Sequence, residues 1–287
     1  MKISREERTM VETLKVDGGE IAYRVAGEGP LVVLSPGMGN SKEAYRFLIP
    51  RLTAAGYRVA AADLRGHGES TLGWPSYTRT DTAGDLIALI EHLGGPAVIV
   101  GHSFSGGAAT IAAVRRPDLV SAVVEIGPFT RPQQFDLGGL LRVRRHRAGM
   151  LRLLGAAMFK SPGLWKSYLD VAVPGVKPAD WTDYLASLEA DLRRPGRMAV
   201  VSSMGFAAPD DAGEALSELR CPALVMMGDL DPDWADPEAE ARAIVDTLPE
   251  GQGSYVMIEG AGHYPHTQFP EEVAAAMLPF LKEHTRA

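Results

Sequence analysis

Val98-Ile99-Val100-Gly101-His102-Ser103-Phe104-Ser105-Gly106-Gly107 is the stretch whose reading decides the fold. It opens as a short apolar run rich in β-branched residues, which predicts a strand buried on both faces. Ala108 to Val114 then predicts an Ala-rich helix that stops before Pro117. A serine on a sharp turn between such a strand and helix has its hydroxyl pushed out at the carboxyl end of the sheet. The helix that follows aims its dipole and its free N–H groups at the same point. A turn of this kind is strained and crowded, and Gly101, Ser105, Gly106 and Gly107 leave it room. Ser103 is therefore read as a nucleophile. Ser105 fits the same small-x-Ser-x-small pattern two residues on. That frame would require the strand to run on through Gly101 and His102, so Ser103 is preferred.

On either side the chain alternates strand and helix patterns. Glu12–Val16 and Glu20–Val25 flank Asp17-Gly18-Gly19, a hairpin signal. Leu31–Leu34 predicts a central strand that empties into the loop Ser35-Pro36-Gly37-Met38-Gly39-Asn40. A helix is predicted over Glu43–Ala55, a strand over Tyr57–Ala62, a helix over Thr80–Leu93 and a strand over Ser121–Ile126. The same rhythm returns in the strand Ala223–Met227, the helix Asp236–Leu248, the strand Ser254–Ile258 and the helix Glu271–Lys282. Such alternation predicts a mostly parallel sheet covered on both faces. Between Phe129 and Gly213 it stops. That stretch carries Trp165, Trp181, Tyr168, Tyr184, Met158, Phe159, Met204 and Phe206 among short helical patterns, and is read as a helical insertion over the sheet's carboxyl edge. Residues 1–128 and 214–287 would form the core and 129–213 a cap.

The chain of 287 residues can bury one large core. Its 46% apolar and 23% charged content belong to a soluble globular protein. A net charge of −7 weighs against nucleic acid or an anionic membrane as partner. The one cysteine, Cys221, gives no internal disulfide framework and no metal cluster. Met1–Glu12 is charged and lacks an apolar core, and no apolar run approaches the roughly 20 residues that span a bilayer. A cytoplasmic location follows as an expectation, with the protein a monomer or a homodimer.

A serine needs a general base, and the base needs a group to orient it. Downstream, Leu224-Val225-Met226-Met227 ends in Gly228-Asp229-Leu230-Asp231-Pro232-Asp233, and Tyr255-Val256-Met257-Ile258 ends in Glu259-Gly260-Ala261-Gly262-His263. Carboxylates and a histidine at the carboxyl ends of neighbouring strands lie where open α/β sheets bind their ligands. On these features the sequence resembles the α/β-hydrolase superfamily, and within it the small hydrolases of an esterase and lactonase-like bacterial branch. Gly-His-Ser-Phe-Ser-Gly-Gly resembles its nucleophile elbow, and Asp63-Leu64-Arg65-Gly66-His67-Gly68-Glu69-Ser70 the loop after its fourth strand. Gly-Asp-Leu-Asp resembles its acid loop, and Gly-Ala-Gly-His the loop that holds its base.

The resemblance implies an eight-stranded α/β-hydrolase fold with a helical cap after the sixth strand. It implies Asp231 as the acid and His263 as the base. It also implies an oxyanion hole made by the backbone N–H groups of Met38 and Phe104. No metal and no organic cofactor is expected, and the substrate is expected to be a small apolar acyl compound. Asp229 and Asp233 are read as turn-forming or helix-starting acids, and His67 and His102 as structural. His266 is read as bonding its own loop or lining the pocket. The run Arg142, Arg144, Arg145, His146 and Arg147 is read as a solvated face, with a site for an anionic substrate tail as the alternative. Trp165 and Trp181 are read as bulky residues of an apolar roof over the pocket. The expected activity is hydrolysis of a carboxylic ester, lactone or similar acyl bond. Rival readings on the same triad are a carbon–carbon bond hydrolase, an acyltransferase or a perhydrolase; a further one is a slowly turning ligand sensor.

Overall fold

The computed structural model describes residues 10–132 and 136–285. Eight strands form one sheet: β1 (Glu12–Val16), β2 (Gly19–Ala26), β3 (Leu31–Ser35), β4 (Arg58–Ala62), β5 (Ala97–His102), β6 (Val120–Ile126), β7 (Ala223–Gly228) and β8 (Gly253–Ile258). Their order is β1-β2-β4-β3-β5-β6-β7-β8. Only β1 and β2 run antiparallel to their neighbours; the hairpin between them pairs Val16 with Gly19 around Asp17 and Gly18. From β4 to β8 every pairing is parallel. Parallel strands need crossovers on both faces, so the central ones have no solvated side. Accordingly β3, β5, β6 and β7 are buried along their whole length.

The two faces carry separate cores. On one, Val33, Ile99 and Val225 meet Leu86, Leu89 and Ile90 of α2 (Arg79–His92) and the alanines of α3 (Phe104–Arg115). On the other, Val32, Val98 and Val124 meet Leu48 and Leu52 of α1 (Leu48–Ala54) and Val273 and Met277 of the C-terminal helix, Pro270–His284.

Two elements differ from their sequence readings. The helix expected over Glu43–Ala55 is two pieces, a 3-10 turn at Lys42–Tyr45 and then α1. Pro50 explains the break, because its ring would collide with the carbonyl of Arg46 in a continuous helix and is tolerated only in a first turn. α3 begins at Phe104 and not at Ala108. Its two glycines are poor helix formers, but nothing larger fits: a Cβ on Gly107 would lie 2.8 Å from Cδ of Arg79.

Among the described residues, six helices separate β6 from β7: α4 (Leu137–Arg142), α5 (Arg144–Phe159), α6 (Pro162–Ala172), α7 (Trp181–Leu192), α8 (Arg197–Gly205) and α9 (Asp210–Leu216). Trp165, Tyr168, Leu169, Trp181, Leu185 and Leu188 give them an apolar core of their own. α9 instead sends Ala212, Ala215 and Leu216 into the main core, so this helix straddles the expected division at residue 213. Among the described residues, no helix is long and apolar enough to cross a membrane.

Candidate active site

Ser103 stands between β5 and α3 with φ 53° and ψ −116°. Lys160 is the one other described non-glycine residue at positive φ. An L-residue keeps such a conformation only where its surroundings over-determine it. Here a Cβ on Gly101 would lie 2.3 Å from the Ser105 carbonyl oxygen, and one on Gly37 would lie 2.9 Å from Cβ of Ser103. The Ser103 N–H donates to the Ile126 carbonyl at 2.8 Å, and its own carbonyl accepts from Gly106 and Phe129. Ser105 is held differently. It is fully buried, its hydroxyl donates to the Pro36 carbonyl at 2.6 Å, and Oγ of Ser35 lies 2.9 Å away. It fastens the loop that follows β3.

Two buried histidines hold that loop from either side. Nδ1 of His102 accepts the Gly37 N–H at 3.2 Å, while its Nε2 lies 2.8 Å from the His263 carbonyl. Nε2 of His67 accepts the Gly39 N–H at 2.9 Å, and its Nδ1 lies 3.1 Å from the Arg65 carbonyl. These partners assign one donor and one acceptor to each ring, so both imidazoles must be neutral. Burial keeps them so, pushing His67 down to about 4 and His102 well below its ordinary range. The amides flanking Met38 are thereby engaged. Among the described residues, the N–H of Met38 and that of Phe104 meet no acceptor. The His67 loop is itself pinned by Asp63, which accepts from Lys42 Nζ at 2.6 Å and from the Lys42 and Glu69 N–H groups.

His263 follows β8 and packs its ring 4.8 Å from that of His102, the neighbour of Ser103. Its Nδ1 lies 2.8 Å from Oδ2 of Asp231, and the other Asp231 oxygen accepts the Asp233 N–H at 2.9 Å. Asp229 stands apart, bonding the Gly260 N–H across the turn. Asp233, read from sequence as a turn or helix acid, instead points inward. Its Oδ2 is 3.4 Å from Nδ1 of His263 and accepts the Tyr168 hydroxyl at 2.7 Å, while Oδ1 is buried without a partner. Burial opposes the imidazolium, but Asp231 and Asp233 outweigh it and carry His263 up to about 9. Burial lifts Asp233 to about 6, with His263 pulling the other way. Among the described residues, Asp231, Asp233 and His263 also form the one group close enough to share a cation, with ligand atoms within 4.8 Å. The Asp233 N–H and the Tyr168 hydroxyl already take up two of their oxygens.

The model of the alpha/beta hydrolase family matches residues 32–276. The chain belongs to that family. A 2-(acetamidomethylene)succinate hydrolase of Mesorhizobium japonicum is 27% identical over 283 residues, which cover 93% of this chain and 94% of its own. Epoxide hydrolase 1 of Siraitia grosvenorii is 24% identical over 322 residues, covering 96% and 99%. Among solved structures, a thermophilic esterase from Thermogutta terrifontis superposes with a TM-score of 0.74 at 24% identity, over 96% of this chain and all of the other. The protein is an α/β-hydrolase enzyme.

In this hydrolase a cavity of about 390 Å³ opens onto Ser103. Met38, Phe104, Phe129, Leu153, Trp165 and Met204 give it apolar walls. Of the two tryptophans read as its roof, only Trp165 lines it; Trp181 is buried in the core of the inserted helices. His266 is a second correction. It neither bonds its loop nor lines the cavity: both ring nitrogens are buried without partners, against the rings of Tyr45 and His102. A third is His146, which is buried with Nδ1 2.9 Å from the Pro232 carbonyl, whereas Arg142, Arg144 and Arg147 are exposed. Sequence reasoning missed Arg79, a buried cation on the cavity wall. The signal available was its place at the first turn of a helix, where a positive charge opposes the dipole.

Proposed function

We propose that the enzyme cleaves a carboxylic ester, lactone or similar acyl bond through Ser103, with His263 as general base and Asp231 as its orienting acid. His263 takes the Ser103 proton through Nε2 as the oxygen attacks the carbonyl. Asp231 holds the Nδ1–H and stabilises the cation that forms. The Met38 and Phe104 N–H groups receive the negative charge that develops on the carbonyl oxygen. His263 then protonates the leaving group, and water releases the acyl chain by the same steps in reverse order. Residues 129–213 act as a cap that selects the substrate. The observation that carries this reading is the strained φ of 53° at Ser103, held at the head of a helix beside two amides that meet no acceptor among the described residues.

A serine at this position favours acyl transfer, by way of an acyl-enzyme, over the epoxide hydrolysis for which some of its relatives are named. The test is to quench the enzyme in acid during turnover of a 4-nitrophenyl butanoate and map the peptides. A butanoyl group on the peptide that contains Ser103 is expected. Turnover with no acyl adduct on that peptide would remove the covalent step.

A further inference from the structure

Arg79 is the first residue of α2 and is 5% exposed. Its guanidinium lies over the Phe104 ring, 4.4 Å from the centroid. Nε donates to the Phe129 carbonyl at 3.2 Å and Nη1 to the Ala207 carbonyl at 3.0 Å. Phe129 in turn donates its own N–H to the Ser103 carbonyl, so the cation stands one residue from the nucleophile by either route. Among the described residues no carboxylate forms an ion pair with it, and Asp211 is held by the Thr80 hydroxyl. Among the described residues no acceptor meets Nη2, and it is not one of their buried polar atoms left without a partner. The open space that Arg79 borders is the Ser103 cavity.

Three costs meet at this side chain: burial, a position that opposes the helix dipole, and a charge with no ion pair among the described residues. Burial alone carries it down to about 10, against the more distant pull of Asp211 and Asp210. A sequence that keeps such a conflict beside a nucleophile keeps it for a ligand. We propose that Arg79 binds a carboxylate carried by the substrate, so that the enzyme acts on acyl compounds with an anionic group near the scissile bond. This rests on Ser103 as the nucleophile of the same cavity. The planar fork of a guanidinium suits a planar carboxylate, and the apolar walls take the carbon chain between the two ends.

The test pairs the 4-nitrophenyl monoester of adipic acid with its neutral methyl twin. The parent should favour the carboxylate in kcat/KM by about tenfold to hundredfold, Arg79→Lys should keep part of that ratio, and Arg79→Gln should erase it. Equal rates for the twins in the parent, or a ratio that survives in folded Arg79→Gln, overturns the proposal. Should Arg79→Gln not fold, the parent still decides. Monomethyl adipate must shield Ser103 from a neutral fluorophosphonate at a concentration at least tenfold below that of dimethyl adipate, and equal shielding refutes the site. Failure of the serine mechanism has a different signature, with no label on Ser103 and no turnover of either ester. In that event, calorimetric binding of monomethyl adipate that weakens at least tenfold in Arg79→Gln or Arg79→Lys sustains the anion site, and no binding overturns it.

Discussion

Asp233 lies 3.4 Å from Nδ1 of His263, so the histidine proposed as the base faces two carboxylates and not one. Both favour the protonated ring, which is why it is carried up to about 9 despite its burial. The acid limb of kcat/KM should therefore lie above the ordinary histidine range, since only the neutral ring accepts the serine proton. Removing one anion must lower the limb. Asp233→Asn should move it to lower pH by about 1 unit or more, because an opposite charge at this distance is worth that much. Asn can still accept the Tyr168 hydroxyl. A limb that stays in place shows that Asp233 has no charge felt by His263.

Asp231 should carry the orienting role. Asp231→Asn should lower kcat on an aryl ester on the order of 10⁴-fold, because the amide favours the wrong tautomer of the ring. Asp229→Asn should stay within about threefold, since its oxygen can go on accepting the Gly260 N–H. Comparable losses at Asp229 would move the acid two residues upstream.

The buried neutral histidines make the fold sensitive to acid. His67 and His266 are pushed down from 6.5 to about 4 and about 3, in each case first by burial. Below 6.5 the unfolded chain takes up protons that the folded one refuses. Stability is therefore present above 6.5 and is lost as pH falls, by about 1.4 kcal/mol per pH unit for each group. Among the described residues the His266 ring has no hydrogen-bond partner. His266→Leu should accordingly flatten the decline in urea stability between pH 6.5 and 4 by about one proton's slope. A decline equal to the parent's would show that His266 is charged in the folded state.

The two tryptophans of the inserted helices should part company. Trp165→Ala enlarges the cavity and should change the ranking of acyl chain lengths, each added CH₂ being worth roughly 0.8 kcal/mol until the space is full. Trp181→Ala should lower stability by about 3–5 kcal/mol and leave the ranking alone, since the ring lies in the core of the inserted helices. Melting curves beside the kinetics separate the two effects. A changed ranking in folded Trp181→Ala would contradict this division.

The strands and the elbow were legible because their signals are local. A run such as Val98-Ile99-Val100 is buried wherever it goes, and Gly101 is demanded by a carbonyl only four residues away. The break before α1 could also have been read, from Pro50. The roles of Asp233, Arg79 and Trp181 depend on which helix docks against them. Asp233 turns inward because Tyr168 of α6 reaches it, and Arg79 is buried because Phe129 and Ala207 close over it. No periodicity in the chain encodes those encounters.

The most direct measurement is covalent labelling of the folded enzyme with a neutral fluorophosphonate, read by intact mass and peptide mapping. One adduct per chain on Ser103 is expected, with none on folded Ser103→Ala and with a labelling rate that rises with pH as His263 loses its proton. Adducts on Ser105, or labelling that persists in Ser103→Ala, would contradict the assignment of the nucleophile.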